Sequence, residues 1–480
     1  MEEILLVGMN SQYVHSAYAV FALEARLAAR GFSVQAREWP VSVPRDEILA
    51  EICALRPEVV GFSVYIWNVD YLAALSMDLR KVLPGVLIVW GGPEAAARAG
   101  ELLAAGLGIG YICLGEGEEA LAELLHRRRE GVTENVAGFL RAGQDPACAV
   151  RRGEADMDTL PFPYTGERLA SLQGRIVYYE SSRGCPFECS FCASARECPR
   201  FRSTELVLQD LRLLMDNVEQ GVIKFVDRTF NAGGRRAGDI LRFLGEKHKK
   251  GLRWHFEINP FILREADFAA FAAAPDGCFQ AEAGVQSLYA PALAAVRRGD
   301  EPRLVLDNLR RLLAPDNVHL HLGLIAGLPQ ETAQTFAEGF NRTHQLGAHH
   351  LQLGFLKVLP GSPLAEEAES LGLCYSSRSP YRVLSTPTMS FAELCAVAKV
   401  ESALNLFYNS GRFYQTLARA GEVFPGGAYA LYALLAGRVD RNVKGGLSAP
   451  HKAKVLFDVL LEELPDEEAL WCDLLRLDWL

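Results

Sequence analysis

Two hydrophobic periods take turns along this chain. Short apolar runs closed by glycine or a polar loop alternate with stretches whose apolar positions recur every three to four residues. Over the first 145 residues the runs are Ile4–Gly8, Phe32–Trp39, Val59–Tyr65, Val86–Gly92 and Tyr111–Glu118. Between them the spacing predicts helices at Ser16–Arg30, Ile48–Leu55, Val69–Lys81 and Glu119–Arg129. In the first helix Ala19, Leu23 and Leu27 share a face, and Gly31 stops it. Strands that are apolar on both faces imply a parallel sheet covered on both sides, a Rossmann-like doubly wound layer. Ligands of such sheets sit outside the carboxyl ends of the strands.

Residues 146–170 mix proline, glycine and charge without a period and read as a connection, with Leu160–Tyr164 extended. The alternation then resumes over residues 171–370. Predicted strands are Arg175–Gly184, Gly221–Asn231, Leu252–Pro260, Cys278–Ser287, Val318–Thr332 and His350–Leu364. Helices fall between them at Thr204–Asn217, Arg235–Lys249, Glu265–Ala273, Pro302–Leu313 and Ala333–Leu346. Six strands with intervening helices predict a βα partial barrel, its chemistry-bearing loops on one rim. Residues 371–480 read as helical. Ser390 and Glu393 form a capping-box pair ahead of Leu394, Val397, Val400, Leu404 and Leu406.

Composition narrows the class. A chain of 480 residues with 50% hydrophobic and 22% charged residues is an ordinary globular protein of two or three domains. No apolar run is long enough to span a bilayer, and the start MEEILLVGMN is acidic and strand-like rather than a secretory signal. Eight of the eleven cysteines are scattered singly, as in a reducing compartment, so the expectation is cytoplasmic. The net charge of −10 argues against a nucleic-acid partner, although the stretch from Arg196 to Arg202 is arginine-rich.

The other three cysteines carry the chemistry. Cys185, Cys189 and Cys192 follow C-x3-C-x2-C in YYESSRGCPFECSFCAS, at the end of a predicted strand. Three thiolates so close select a soft metal centre: an iron–sulfur cluster, zinc or copper(I). A structural zinc site wants a fourth ligand at short spacing, and only Cys198 is near. With Phe191 as the aromatic before the last cysteine, the motif resembles that of the radical S-adenosylmethionine (radical SAM) enzymes. The resemblance implies a 4Fe-4S cluster with one open iron, S-adenosyl-L-methionine bound there and cleaved to a 5′-deoxyadenosyl radical, and an external electron donor such as flavodoxin or ferredoxin. It also implies that Asp227 lies near the methionine amino group, that Glu282 and Gln286 contact the ribose or shape the pocket, and that the run containing Gly323 and Gly327 packs on adenine. The alternative for each acid is a structural salt bridge, for which Lys224 and Arg228 are at hand. Tyr179, Glu180 and Arg183 either face substrate or order the turn. The strand histidines, His255, His319, His321, His349 and His350, default to packing roles.

The loops at the ends of the first five strands, with GGPE and GEGE among them, look like the cobalamin-binding domain that precedes many radical SAM domains. By that resemblance Ser63, Tyr65, Gly91, Gly92, Pro93, Gly115, Glu116 and Gly117 line the cobalamin. The D-x-H-x-x-G signature of a cobalt-ligating histidine is absent, and His15 is a packing residue before it is a ligand. The resemblance implies a methyltransferase acting on an unactivated carbon of a small molecule or peptide. Alternatives are a non-methylating enzyme of the same kind (cyclisation, ring contraction or oxidation) and a non-catalytic cobalamin or redox sensor. No membrane partner is expected.

Overall fold

A computed structural model describes residues 3–132, 134–150, 152–195, 197–439 and 447–479. Its first sheet comprises β1 (Ile4–Asn10), β2 (Val34–Pro40), β3 (Val59–Ser63), β4 (Leu87–Gly91), β5 (Tyr111–Cys113) and β6 (Phe139–Arg141), in the order β2-β1-β3-β4-β5-β6. All pairs are parallel except β5 with β6. The sequence pattern predicts five of these strands. It misses β6, whose three residues are too few to show a period.

All seven residues of β1 are buried, because its two faces meet different layers. Leu5, Val7 and Met9 pack with Ile48, Ile52, Leu72, Leu75 and Leu79 from the helices Arg45–Leu55 and Val69–Val82. Ile4 and Leu6 face Val20, Phe21 and Leu27 of the helix Tyr18–Ala29, beside the helix Gly117–Arg129. This second layer is continuous with the interior of the next sheet, so one core runs through both.

The second sheet begins with β7 (Val177–Tyr179). A two-residue pair follows, β8 (Ser182–Arg183) antiparallel to β9 (Arg200–Phe201). Then come β10 (Gly221–Phe225), β11 (Leu252–Ile258), β12 (Phe279–Gln286), β13 (Val318–Ala326) and β14 (His350–Phe355). The sheet runs in chain order from β7 through β10 to β14, parallel throughout, with helices at Thr204–Asn217, Arg235–Glu246, Glu265–Ala272, Pro302–Leu313 and Ala333–His344. It is the six-stranded partial barrel that the sequence predicts. Strands β12 and β13 alternate strictly. Val318, Leu320, Leu322 and Leu324 are buried under the helices, whereas His319, His321, Gly323 and Ile325 are half-buried on the inner face. A closed barrel fills that inner face with branched aliphatics; this one is polar and partly open.

The connection holds short 3-10 turns at Pro146–Cys148 and Met157–Thr159 and a helix at Gly166–Ser171. Tyr164 is buried, its hydroxyl donating to the Tyr178 carbonyl at 2.6 Å. The last region is not wholly helical. It opens with the hairpin β15 (Cys374–Tyr375) and β16 (Val383–Ser385) before the helices Phe391–Leu406, Tyr414–Val423, Gly427–Arg438, Ala449–Glu463 and Glu468–Leu477. The Ser390–Glu393 capping box forms as expected, each side chain accepting the other's backbone N–H. Phe407 and Phe413 are buried in the core. Among the described residues no helix is long and apolar enough to cross a membrane.

Candidate active site

The cysteine loop is fixed before its thiols are considered. Asp227, fully buried just past β10, accepts hydrogen bonds from Ser181 N at 2.8 Å, Ser181 Oγ at 2.6 Å and Ser182 Oγ at 2.6 Å. Both its oxygens are used in holding the chain as it leaves β7. Asp227 therefore anchors the loop through Ser181 and Ser182. Gly184 follows with φ +78°, and a Cβ there would clash with the Cys198 carbonyl, so only glycine allows this closure. Cys185 N donates to the Glu197 carbonyl at 3.0 Å, and β8 and β9 complete the neck. On the far side Ser190 N donates to the Val296 carbonyl, and Leu364 N to that of Ser190.

Within this frame Cys185, Cys189 and Cys192 are all free thiols. Cys185 Sγ lies 3.3 Å from Thr229 Oγ1, and Arg298 Nη1 donates to Cys189 Sγ at 3.9 Å. Burial pushes the Cys189 and Cys192 thiols up, while Arg298 and Arg228 respectively pull them back. Phe191 packs half-buried against the core. Among the described residues no three His, Cys, Asp or Glu side chains close on a single ion. Three thiols on one clamped loop at a strand's carboxyl end are the donor set of an iron–sulfur cluster.

The salt-bridge alternative holds for Glu282. It lies 3.3 Å from Lys224 Nζ and 3.4 Å from His255 Nε2, and these partners hold its carboxyl down at about 2. Glu257 lies 3.2 Å from the same lysine. Across the inner face Lys224, His255, Gln280 and His319 share one row, and Glu257, Glu282, His321 and His350 the next. Burial and neighbouring histidines push His319 down to about 4 and His321 to about 3, so both rings are neutral. Gln286 sits at a bulge beside Gly284 with φ +66°. Gly323 opens onto empty space, whereas Gly327 lies against Leu394 of the last region's first helix.

In the first sheet the strand order reverses at β1, and the crevice there is occupied. Asn68 Nδ2 donates to the carbonyls of Met9 and Ser63, each at 3.0 Å, and its Oδ1 accepts from Tyr65 N. Tyr65 stacks on Trp67 at 4.3 Å, and Trp67, Tyr13 and Val14, on loops that leave β3 and β1, are exposed. Gly92 (φ +104°) lets β4 cross so near that a Cβ would fall 2.5 Å from the Val64 carbonyl oxygen. Pro93 starts the short helix that follows. Gly115 is open and Gly117 packs near Leu23. Glu116 faces the other way. It pairs with Arg200 and with Arg183 Nη1 at 3.3 Å, and accepts from Ala155 N. It ties the two sheets together.

Arg183 centres that tie, reaching Glu118 at 2.5 Å and Glu180 at 2.8 Å, so Glu180 and Arg183 order the turn. Arg200 and the buried Arg202, paired to Asp210 at 2.9 Å, are likewise committed; Arg196 lies outside the described residues. His15 Nδ1 is 2.7 Å from the Tyr178 hydroxyl, a packing role. Sequence reasoning passed over Arg298 and left Glu331 without a role. Glu331 is buried where β12 and β13 end, accepts from Ser287 Oγ, and is pushed by burial up to about 7. A carboxylate just past the apolar run Gly323–Pro329 was its only signal in the sequence.

Three family models match the chain. A B12 binding domain covers residues 4–125, the radical SAM superfamily residues 179–341, and a protein of unknown function (DUF4080) residues 369–480. The B12-type sheet and the barrel whose rim carries the clamped thiol loop are thus a B12 binding domain and a radical SAM domain, the two parts that cobalamin-binding radical SAM proteins combine. It is similar to the cobalamin-dependent radical SAM methyltransferase TokK of Streptomyces tokunonensis, 28% identical over 358 residues, 66% of this chain and 50% of that protein. A 2-(S-pantetheinyl)-carbapenam-3-carboxylate methyltransferase of Streptantibioticus cattleyicolor is 26% identical over 335 residues, 64% of this chain and 48% of that one. The chain spans about half the length of these two curated relatives. Among solved structures, the methyltransferase TsrM of Kitasatospora setae, with cobalamin and a 4Fe-4S cluster, superposes with a TM-score of 0.65 at 19% identity. That alignment covers 100% of this chain and 99% of TsrM. OxsB with aqua-cobalamin and S-adenosylmethionine gives 0.69 at 15% identity, over 98% of this chain and 80% of its own. These likenesses show the fold.

Proposed function

We propose that this chain is a cobalamin-dependent radical SAM methyltransferase acting on an unactivated carbon of a small molecule or peptide. In this reading residues 1–145 hold cobalamin, residues 146–170 link, residues 171–370 perform the radical chemistry and residues 371–480 buttress the barrel. The observation that carries it is the juxtaposition of the clamped thiol loop with the rim of the B12-type sheet, joined by Arg183 to Glu118 and Glu180. Cys185, Cys189 and Cys192 would hold the cluster. Ser63, Tyr65, Gly91, Gly92, Pro93, Gly115 and Gly117 edge the rim where cobalamin would sit, next to the stacked Tyr65 and Trp67 rings. When bound, the cluster supplies the electron that splits S-adenosylmethionine, and cobalamin supplies a methyl carrier.

The chain's own part is orientation and exclusion of water. Asp227 and its serines hold the thiol loop rigid. The Arg183 network fixes one rim against the other. The polar inner face around Lys224, Glu282 and His321, with Gly323 leaving room, offers hydrogen bonds to a substrate, while Gln286 and Glu331 stand where the strands end. Electrons would come from a flavodoxin or ferredoxin in the cytoplasm.

The test is anaerobic. Protein reconstituted with iron, sulfide and cobalamin, reduced and given methyl-deuterated S-adenosylmethionine, should release 5′-deoxyadenosine and deliver the label to a product. No 5′-deoxyadenosine from loaded protein removes the enzyme reading. Release without label transfer moves the assignment to the non-methylating alternative.

A further inference from the structure

The segment after β12 returns to the cysteine loop and brings one cation to it. Val296 accepts the backbone N–H of Ser190, and Arg298 N donates to the Leu293 carbonyl at 2.8 Å. The Arg298 side chain is held from two sides. Its Nη2 donates to the Gly284 carbonyl of β12 at 2.7 Å, and its Nε lies 2.7 Å from Asp300 Oδ2. Asp300 is itself buried and accepts from Asn259 Nδ2 at 3.3 Å. The remaining terminal nitrogen, Nη1, points at Cys189 Sγ, 3.9 Å away. The Arg298 side chain is only 10% exposed and that of Asp300 3% exposed, so water screens the group little. A guanidinium nitrogen directed at a sulfur in so enclosed a place is a stabiliser of negative charge on that sulfur.

We infer that Arg298 is a positioning residue that tunes the cluster: through Cys189 it raises the reduction potential of the iron–sulfur centre. The inference rests on the reading that the three cysteines hold a four-iron cluster. Reduction adds negative charge, and a fixed cation with a hydrogen bond to a ligating sulfur favours the more negative state. Asp300 sits on the Nε side, away from the sulfur, and orients the guanidinium at some cost to its net field.

The test is a redox titration of anaerobically reconstituted full-length protein, with the midpoint potential read from the EPR signal of the reduced cluster. Iron and sulfide content are measured on the same samples. Arg298→Leu should titrate at a more negative potential than wild type, and Arg298→Lys between the two. Arg298→Leu leaves Asp300 buried without its cation, so the double variant Arg298→Leu/Asp300→Asn guards against misfolding; it too should lie below wild type. A loaded Arg298→Leu or double variant that titrates at the wild-type potential overturns the inference and leaves the cluster reading intact. Wild type that takes up no iron defeats the cluster reading and the inference together.

Discussion

Asp227→Ala separates two roles for one carboxylate. If Asp227 anchors the loop, its removal leaves Ser181 N, Ser181 Oγ and Ser182 Oγ without their acceptor inside the protein. It also leaves the buried Arg236, whose Nη2 donates to the Ser181 carbonyl at 2.8 Å, without a nearby negative charge. Hydrogen bonds to a charged group contribute about 1.5–3 kcal/mol each and do not add fully. Breaking a buried charge constellation from one side costs about 3–5 kcal/mol. The transition that unfolds the second sheet should therefore fall by roughly 6–20 °C, at about 2–4 °C per kcal/mol for a unit of this size. Thermal melting of apo protein, followed by circular dichroism, reads this with neither cluster nor S-adenosylmethionine present. Asp227→Asn, which keeps one acceptor oxygen, should lose less. Apo Asp227→Ala melting within 2 °C of wild type, together with a weakened affinity of loaded protein for S-adenosylmethionine, would refute the anchoring role and restore the ligand-facing one.

Other outcomes follow from the same geometry. Replacing Cys185, Cys189 or Cys192 singly by Ala should abolish the broad visible absorbance of reconstituted protein, whereas Cys198→Ala, an exposed thiol, should keep it. Arg183→Met leaves Glu118 and Glu180 without their shared cation, so limited proteolysis should cut residues 146–170 several-fold faster than in wild type. Glu331 titrates at about 7 in the folded chain against an ordinary 4.5, so the folded state holds its proton longer than the unfolded one. Its contribution is present below pH 4.5 and is lost as the pH rises through 7, by about 3 kcal/mol at most. Glu331→Gln should remove that part of the slope when melting is compared at pH 5 and pH 8.

Much of this architecture was legible because its strands are long and apolar on both faces. Val59–Ser63 and Leu87–Gly91 could be nothing else, and strict alternation in Val318–Ala326 marked a strand with one polar face. The elements that escaped are those too short to carry a period: Phe139–Arg141, the pair Ser182–Arg183 with Arg200–Phe201, and the hairpin at Cys374–Tyr375. The thiol motif could be read because its spacing is local. Asp227, Glu116 and Gly327 could not be placed, since each looks like a rim residue in sequence and only the fold shows what it touches. Asp227 turns to Ser181, Glu116 to Arg200, and Gly327 to Leu394. Arg298 was hidden for the same reason: 109 residues separate it from the sulfur it approaches.

The helices Tyr18–Ala29 and Gly117–Arg129 share their oily interior with the second sheet, not only with their own. A fragment cut at the connection would come away with one side stripped bare, and would clump rather than stand as a tethered module. The two rims are thus walls of a single room, and whatever one of them carries is presented to the other at a fixed span.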